Sequence, residues 1–112
     1  MISGGYEDDL DKLSEVTYTG QGGRDSRGRV IKDQELTLGN KALSINFEKK
    51  IPIRVVRGHQ VFYGPKIGYR YDGLYLVRNY YQDTGINGFK IYRFYLESLL
   101  TTQELKKISG FS

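Results

Sequence analysis

The chain begins with a concentration of groups able to hold a planar heterocycle. Gly4 and Gly5 precede Tyr6, the acidic run Glu7-Asp8-Asp9-Leu10-Asp11 follows, and Tyr18 and Thr19 come shortly after it, ahead of Gly20. An aromatic face stacked on a nucleobase contributes roughly 1–3 kcal/mol. A carboxylate accepts from the N4 amino group of cytosine, whereas thymine presents an oxygen there and is repelled. Glycines allow a backbone to approach a ligand that a side chain would keep away. The bland alternative is a solvated acidic turn or a loose cation site, with the tyrosines used in strands or core. The run lacks the glycine and distal glutamate of an EF-hand loop. On the residues alone, both readings stand.

A second group is basic. Arg24, Arg27 and Arg29 lie in the glycine-rich stretch Gly20-Gln21-Gly22-Gly23-Arg24-Asp25-Ser26-Arg27-Gly28-Arg29, with Arg54 and Arg57 further on. Such a loop suits phosphate contacts, or is simply a solvated basic loop. His59 is the one histidine. A lone histidine without ligating neighbours makes neither a metal centre nor a histidine-dependent nuclease site, so it reads as a structural or surface residue. No phosphate-binding loop, nucleophile–His–Asp set or HExxH occurs. No catalytic residue, cofactor or metal is expected.

These groups must be positioned by one small fold. The 112 residues carry 17 basic and 13 acidic side chains, a net charge of +4, which leans mildly toward polyanions. That length predicts a single domain, 1–112, with one modest core. Cysteine is absent, so disulfides and thiolate metal sites are excluded. No apolar run is long enough to span a membrane, and no signal peptide is visible at Met1-Ile2-Ser3-Gly4. Ten tyrosines and five phenylalanines suit both strands and stacking surfaces.

Residues 3–11 read as a glycine turn leading into an acidic loop, Val16 to Thr19 as a short strand, and Gln21 to Gly28 as a loop. Asp33 is a plausible N-cap for a helix to about Glu48, with Leu36, Leu43 and Phe47 on one stripe. Gly39 inside it costs roughly 1 kcal/mol relative to alanine and marks close packing. Lys49 and Lys50 suit its C-terminus, and Pro52 prevents continuation. Three strands are predicted around Ile51–Val56, Leu74–Tyr81 and Phe89–Leu96. The apolar phase of the last switches near Tyr92, which predicts a bulge or burial on both faces. Gly85-Ile86-Asn87-Gly88 predicts a hairpin, and Thr101 with Glu104 a capping box for a final helix. Tyr71-Asp72-Gly73 reads as a turn before a strand, with a locally bonded Asp72 and a positive φ at Gly73.

Ser3-Gly4-Gly5-Tyr6-Glu7-Asp8-Asp9, Thr17-Tyr18-Thr19-Gly20-Gln21-Gly22-Gly23-Arg24-Asp25 and Tyr69-Arg70-Tyr71-Asp72-Gly73-Leu74-Tyr75 together resemble the SRA (SET and RING associated, or YDG) domain family, in its microbial form. Asp33-Gln34-Glu35-Leu36, Gly39-Asn40-Lys41-Ala42-Leu43 and Ile53-Arg54-Val55-Val56-Arg57-Gly58 fit it too. The resemblance implies an α+β fold, a PUA-like β-barrel with flanking helices, incomplete at its N-terminal side. It implies a module that reads 5-modified cytosine in double-stranded DNA by flipping the base into a pocket. Tyr6 and Tyr18 match the stacking positions and Asp9 the carboxylate on the base edge. Backbone groups around Ser3, Gly4, Gly5 and Thr19 match the remainder. Arg24, Arg27 and Arg29 fall where the family places a groove-entering loop, and Gln21 stands where a small residue often lies beside the base methyl.

Family domains normally begin before Ser-Gly-Gly-Tyr. A missing N-terminal segment, a separate nuclease or a second copy of the chain is therefore the expected protein partner, and an open sheet edge favours self-association. The rival reading is a degenerate domain working through protein contacts or dimerisation; a third is a subunit that targets a separate nuclease. The implied location is nucleoid-associated cytoplasm in a microbe, or the nucleus in a eukaryote.

Overall fold

The computed structural model describes residues 9–27 and 29–109. Along the chain run β1 (Leu10–Asp11), β2 (Glu15–Thr19), α1 (Leu38–Lys49), β3 (Ile53–Gly58), β4 (Tyr69–Thr84), β5 (Lys90–Ser98) and α2 (Thr102–Ser109). The strands form one antiparallel sheet in the order β1-β2-β5-β4-β3. The fold is α+β, as the sequence implies. Among the described residues no helix is long and apolar enough to cross a membrane.

Period-two alternation brings Val16, Val55, Tyr75, Val77, Phe94 and Leu96 together as the core, and Leu43 and Phe47 of α1 pack against it. Each such side chain contributes roughly 1.5–3 kcal/mol when fully buried. β4 shifts register between Val77 and Asn79. The bulge turns Tyr80 toward the core, where its ring stacks on Phe94 at 5.7 Å and meets Phe47 edge-on at 5.5 Å. β5 itself pairs with β2 without a shift. Its phase switch reflects burial on both faces, Ile91 on one and Phe94 and Leu96 on the other. The Gly85–Gly88 turn joins β4 to β5, with Gly85 N donating to Phe89 O at 2.9 Å. The capping box forms: Glu104 N donates to Thr101 Oγ1 at 3.2 Å and Thr101 N to Glu104 Oε1 at 3.3 Å.

Two local expectations are corrected. Asp33 is not a helix cap. The helix begins at Leu38 after Thr37, because Gln34 is drawn instead onto β5, where its N–H donates to Lys90 O at 2.8 Å. Asp33 accepts Lys90 N at 2.8 Å. Tyr71-Asp72-Gly73 is not a turn but part of β4, which starts at Tyr69. Gly73 does take a positive φ, 93°. It occupies the irregularity where β4's register against β3 shifts, between the Val56–Tyr71 and Arg54–Leu74 pairs.

β1 and β3 are the two ends of the sheet, yet they meet. Arg57 of β3 grips Asp11 of β1 with Nε on Oδ2 and Nη2 on Oδ1, both at 2.8 Å. The sheet has therefore curled until its edges face each other. No backbone ladder joins β1 to β3 among the described residues; the seam is closed by side chains.

Candidate functional site

The seam organises the short β1–β2 hairpin. Arg57 is fully buried, and its Nη2 also donates to Leu13 O at 2.9 Å, while Nη1 donates to Asp72 Oδ2 at 2.7 Å and Tyr75 Oη at 3.2 Å. Tyr75 Oη donates to the same Leu13 carbonyl at 2.6 Å. Leu13 has φ 69°, left-handed for a non-glycine residue, a conformation costing of order 1–3 kcal/mol that surrounding contacts must hold. It is held by these two donors, by its own N–H on Asp11 Oδ1 at 2.9 Å and by complete side-chain burial. Arg70 pairs with Asp72 from the other side and donates to Tyr63 O. Burial opposes the charged form of Arg57, but the hydrogen bonds and charge of Asp11, then Asp72, outweigh it and hold the guanidinium above its ordinary value.

Immediately before this clamped hairpin stands Asp9. Its Oδ1 accepts the backbone N–H of Thr19 at 2.7 Å, so a carboxylate is seated at the end of β2 beside Tyr18. Thr19 is fully buried, and its hydroxyl has no hydrogen-bond partner among the described residues. Tyr18 is half-buried against the core. It lines a cleft of about 290 Å³, with Gln21 and Leu96 beside it and Ile53, Val55 and Leu43 contributing other walls. The structure thus joins the Asp9 side chain to the Thr19 backbone, one residue beyond Tyr18 in β2. Tyr6, Gly4 and Gly5, with Ser3, Glu7, Asp8 and Gly28, lie outside the described residues.

From Gly20 the chain leaves β2 as a finger held by two buried carboxamides. Gln34 Nε2 donates to Gly20 O at 2.8 Å and Gly22 O at 3.1 Å, and its Oε1 accepts Tyr92 N at 3.0 Å. Asn40 pairs with the Gln21 backbone: Gln21 N donates to Asn40 Oδ1 at 2.7 Å, and Asn40 Nδ2 donates to Gln21 O at 3.0 Å. Gly39 leaves room for the Gln21 side chain, which a Cβ there would overlap; this is the close packing its place in the helix predicts. The finger itself is narrow. Arg24 and Val30 form a bridge, and Asp25 Oδ1 accepts Arg27 N at 2.9 Å and Arg29 N at 3.0 Å. This turn displays Arg27 and Arg29 as exposed side chains. Arg24 is half-buried and turns its Nη1 onto Gly20 O at 2.9 Å, an anchoring position.

Arg57, counted with Arg54 as part of a basic surface, is instead wholly inside. His59 is exposed, and its N–H donates to Gly68 O at 3.0 Å. Among the described residues no cluster of His, Asp or Glu could hold a metal. Sequence reasoning missed Asp11, Arg57, Gln34 and Asn40 as positioning groups. A signal was available for Arg57: it shares the strand phase of Ile53 and Val55, and an arginine on an apolar phase requires buried carboxylates.

The SAD/SRA domain model matches residues 1–101. The chain is 44% identical over 119 residues to the histone-lysine N-methyltransferase SUVH4, H3 lysine-9 specific, of Arabidopsis thaliana, covering 98% of this chain and 19% of that protein. It spans less than a fifth of the curated relatives it matches. Among solved structures, the modification-dependent TagI restriction endonuclease superposes with a TM-score of 0.82 at 35% identity, over 94% of this chain and 39% of that one. The SUVH5 SRA domain on fully methylated CG DNA gives 0.71 at 44% identity, over 89% and 62%; it has also been solved on fully hydroxymethylated CG DNA. With so much of its length matched, this chain belongs to the SAD/SRA domain family.

Proposed function

We propose that the domain binds double-stranded DNA and reads a 5-modified cytosine, flipped from the helix, at the end of β2. The observation that carries this reading is the Asp9 carboxylate fixed by the backbone N–H of Thr19, the residue after Tyr18. A carboxylate so held accepts from the cytosine N4 amino group and rejects the thymine O4. Tyr18 offers a stacking face, and Tyr6 is the proposed second face, with the Gly4-Gly5 backbone closing the pocket. The cleft beside Tyr18 adds apolar surface next to that ring. Arg27 and Arg29, displayed on a finger beyond β2, suit phosphate or groove contacts.

Support comes from the SUVH5 SRA domain, whose structures hold methylated and hydroxymethylated DNA. In this reading the domain is a binding module that acts wherever the cell keeps its DNA. Cleavage, if coupled to it, belongs to a nuclease outside this domain, which corresponds to only 39% of the modification-dependent endonuclease chain. Flipping costs a few kcal/mol with any base. A buried methyl group adds only about 0.8 kcal/mol, so methylation supplies a margin and the carboxylate supplies the larger distinction. Competition binding with one duplex carrying cytosine, 5-methylcytosine or thymine at a single position tests this. The expected order is 5-methylcytosine, then cytosine by less than about tenfold, then thymine far behind. Equal binding of all three overturns base reading.

A further inference from the structure

We propose that Arg57 is a positioning residue for base reading, acting through Asp11 to set where the Asp9 carboxylate stands. This rests on the reading of Asp9 given above. β1 is only two residues long and pairs with β2 through Leu10–Thr17 and Asp11–Val16, too short a ladder to fix its own position. What fixes it is the guanidinium on the opposite edge strand, which holds both Asp11 oxygens at 2.8 Å and the Leu13 carbonyl at 2.9 Å. The guanidinium is itself held by Asp72 at 2.7 Å, and Asp72 by Arg70. The chain of contacts runs from Asp72 in β4, through Arg57 in β3, to Asp11 in β1. Asp9 stands two residues before Asp11, with its Oδ1 on the Thr19 N–H at 2.7 Å. A planar two-pronged donor fixes the orientation of a carboxylate as a point charge cannot. Asp11 is therefore held in angle as well as in place, and Asp9 with it. The Asp of Tyr71-Asp72-Gly73 takes a role at the site without touching a base: it completes the charge balance that keeps Arg57 in position.

The test uses Asp11→Asn, which keeps the shape and one acceptor, and Arg57→Lys, which keeps the charge but loses the fork. Two readouts are followed in proteins that melt cooperatively: the preference for 5-methylcytosine over thymine at one duplex position, and the amide resonance of Thr19 in the DNA-free protein. In Asp11→Asn the preference should fall on the order of tenfold or more, binding to the thymine duplex should stay the same, and the Thr19 amide should move away from its hydrogen-bonded position. In an Asp9→Ala background the same change should alter the preference no further, since residues acting through one group are not additive. An unchanged preference with an unmoved Thr19 resonance overturns the proposal, as does an equal loss in the Asp9→Ala background. Should Asp11→Asn not fold, Arg57→Lys is judged by the same outcomes. Absence of any base preference in the wild-type protein defeats the base-reading proposal instead, and the Thr19 resonance still decides whether the clamp positions Asp9.

Discussion

Asn40, one residue after Gly39 in α1, holds the peptide of Gln21 at both ends, accepting its N–H at 2.7 Å and donating to its carbonyl at 3.0 Å. The first turn of the helix is thereby fastened to the base of the arginine finger. The neighbouring glycines follow from this pairing. A Cβ at Gly20 would stand 2.7 Å from Asn40 Oδ1, and one at Gly39 would overlap the Gln21 carboxamide.

The two glycines should therefore respond differently to alanine. Gly20→Ala pushes against a buried carboxamide that makes three hydrogen bonds and should cost about 1–3 kcal/mol. Gly39→Ala meets the far end of an exposed side chain that can swing aside, and gains up to roughly 1 kcal/mol in helix propensity. Urea denaturation should rank Gly20→Ala well below wild type and Gly39→Ala at or above it. The reverse order would show that the finger is not anchored by Asn40.

Asp9→Ala should abolish the preference for cytosine bases over thymine while leaving the melting transition in place. Loss of one base-edge contact is worth about 1–3 kcal/mol of discrimination. Asp9→Asn keeps the shape and one acceptor, and is expected to retain part of the preference. Competition binding on the three duplexes reads both variants. Retention of the full preference by Asp9→Ala would place base reading elsewhere.

Arg27 and Arg29 should act on affinity rather than preference. Replacing both with alanine removes two exposed charges, so binding to every duplex should weaken to a similar degree. The dependence of binding on salt should also become shallower, by close to one phosphate contact per arginine. Titrations at several salt concentrations measure both. An unchanged slope would make the finger a bystander.

Tyr75 predicts an alkaline limit. Burial, first, and the neighbouring Asp72 and Asp11 charges raise its phenol above 10.0, against the opposing pull of Arg57. A raised acid favours the protonated folded state. Its contribution is thus fully present below pH 10 and is lost as pH rises through the raised value. Tyr75→Phe should be less stable by about 1 kcal/mol at neutral pH, for the lost hydrogen bonds, and the two stability curves should converge above pH 10. Tyr95 is raised in the same direction by burial and by Glu15, so Tyr75→Phe keeps a shallower alkaline decline rather than none. Parallel curves across the whole range would remove Tyr75 from the account.

The sequence made the local devices readable because each is decided by neighbours along the chain. The Gly85–Gly88 turn, the Thr101–Glu104 box and the alternation of β3 and β4 all follow from residues a few positions apart. Asp33 misled because it has the type and spacing of a cap, while Gln34 beside it is committed to Gly20, Gly22 and Tyr92, contacts that no local pattern reveals. Asp72 misled for the same reason. Before a glycine it has the form of a turn residue, but it lies inside β4, paired with Arg70 on its own strand and with Arg57 on β3, a partner it meets only in the assembled sheet. At the candidate site, Asp9, Tyr18 and Thr19 were legible as types, and the fold joins Asp9 to the Thr19 backbone. The clamp behind them was not, because it joins the two ends of the sheet.

The side-chain seam also dictates an order of assembly. β4 and β5 are joined by a five-residue connection and can pair with little loop-closure entropy. The contact between Asp11 and Arg57 spans 46 positions and that between Leu13 and Tyr75 spans 62, so both wait until the strands between them are in register. The Asp9 carboxylate is therefore among the last groups to arrive, whereas the arginines of the finger carry their charge from the moment of synthesis. A half-folded chain would be a nonspecific polyanion binder, and discrimination between bases would emerge only with the final closure. On the proposed reading, base discrimination comes only with the completed fold.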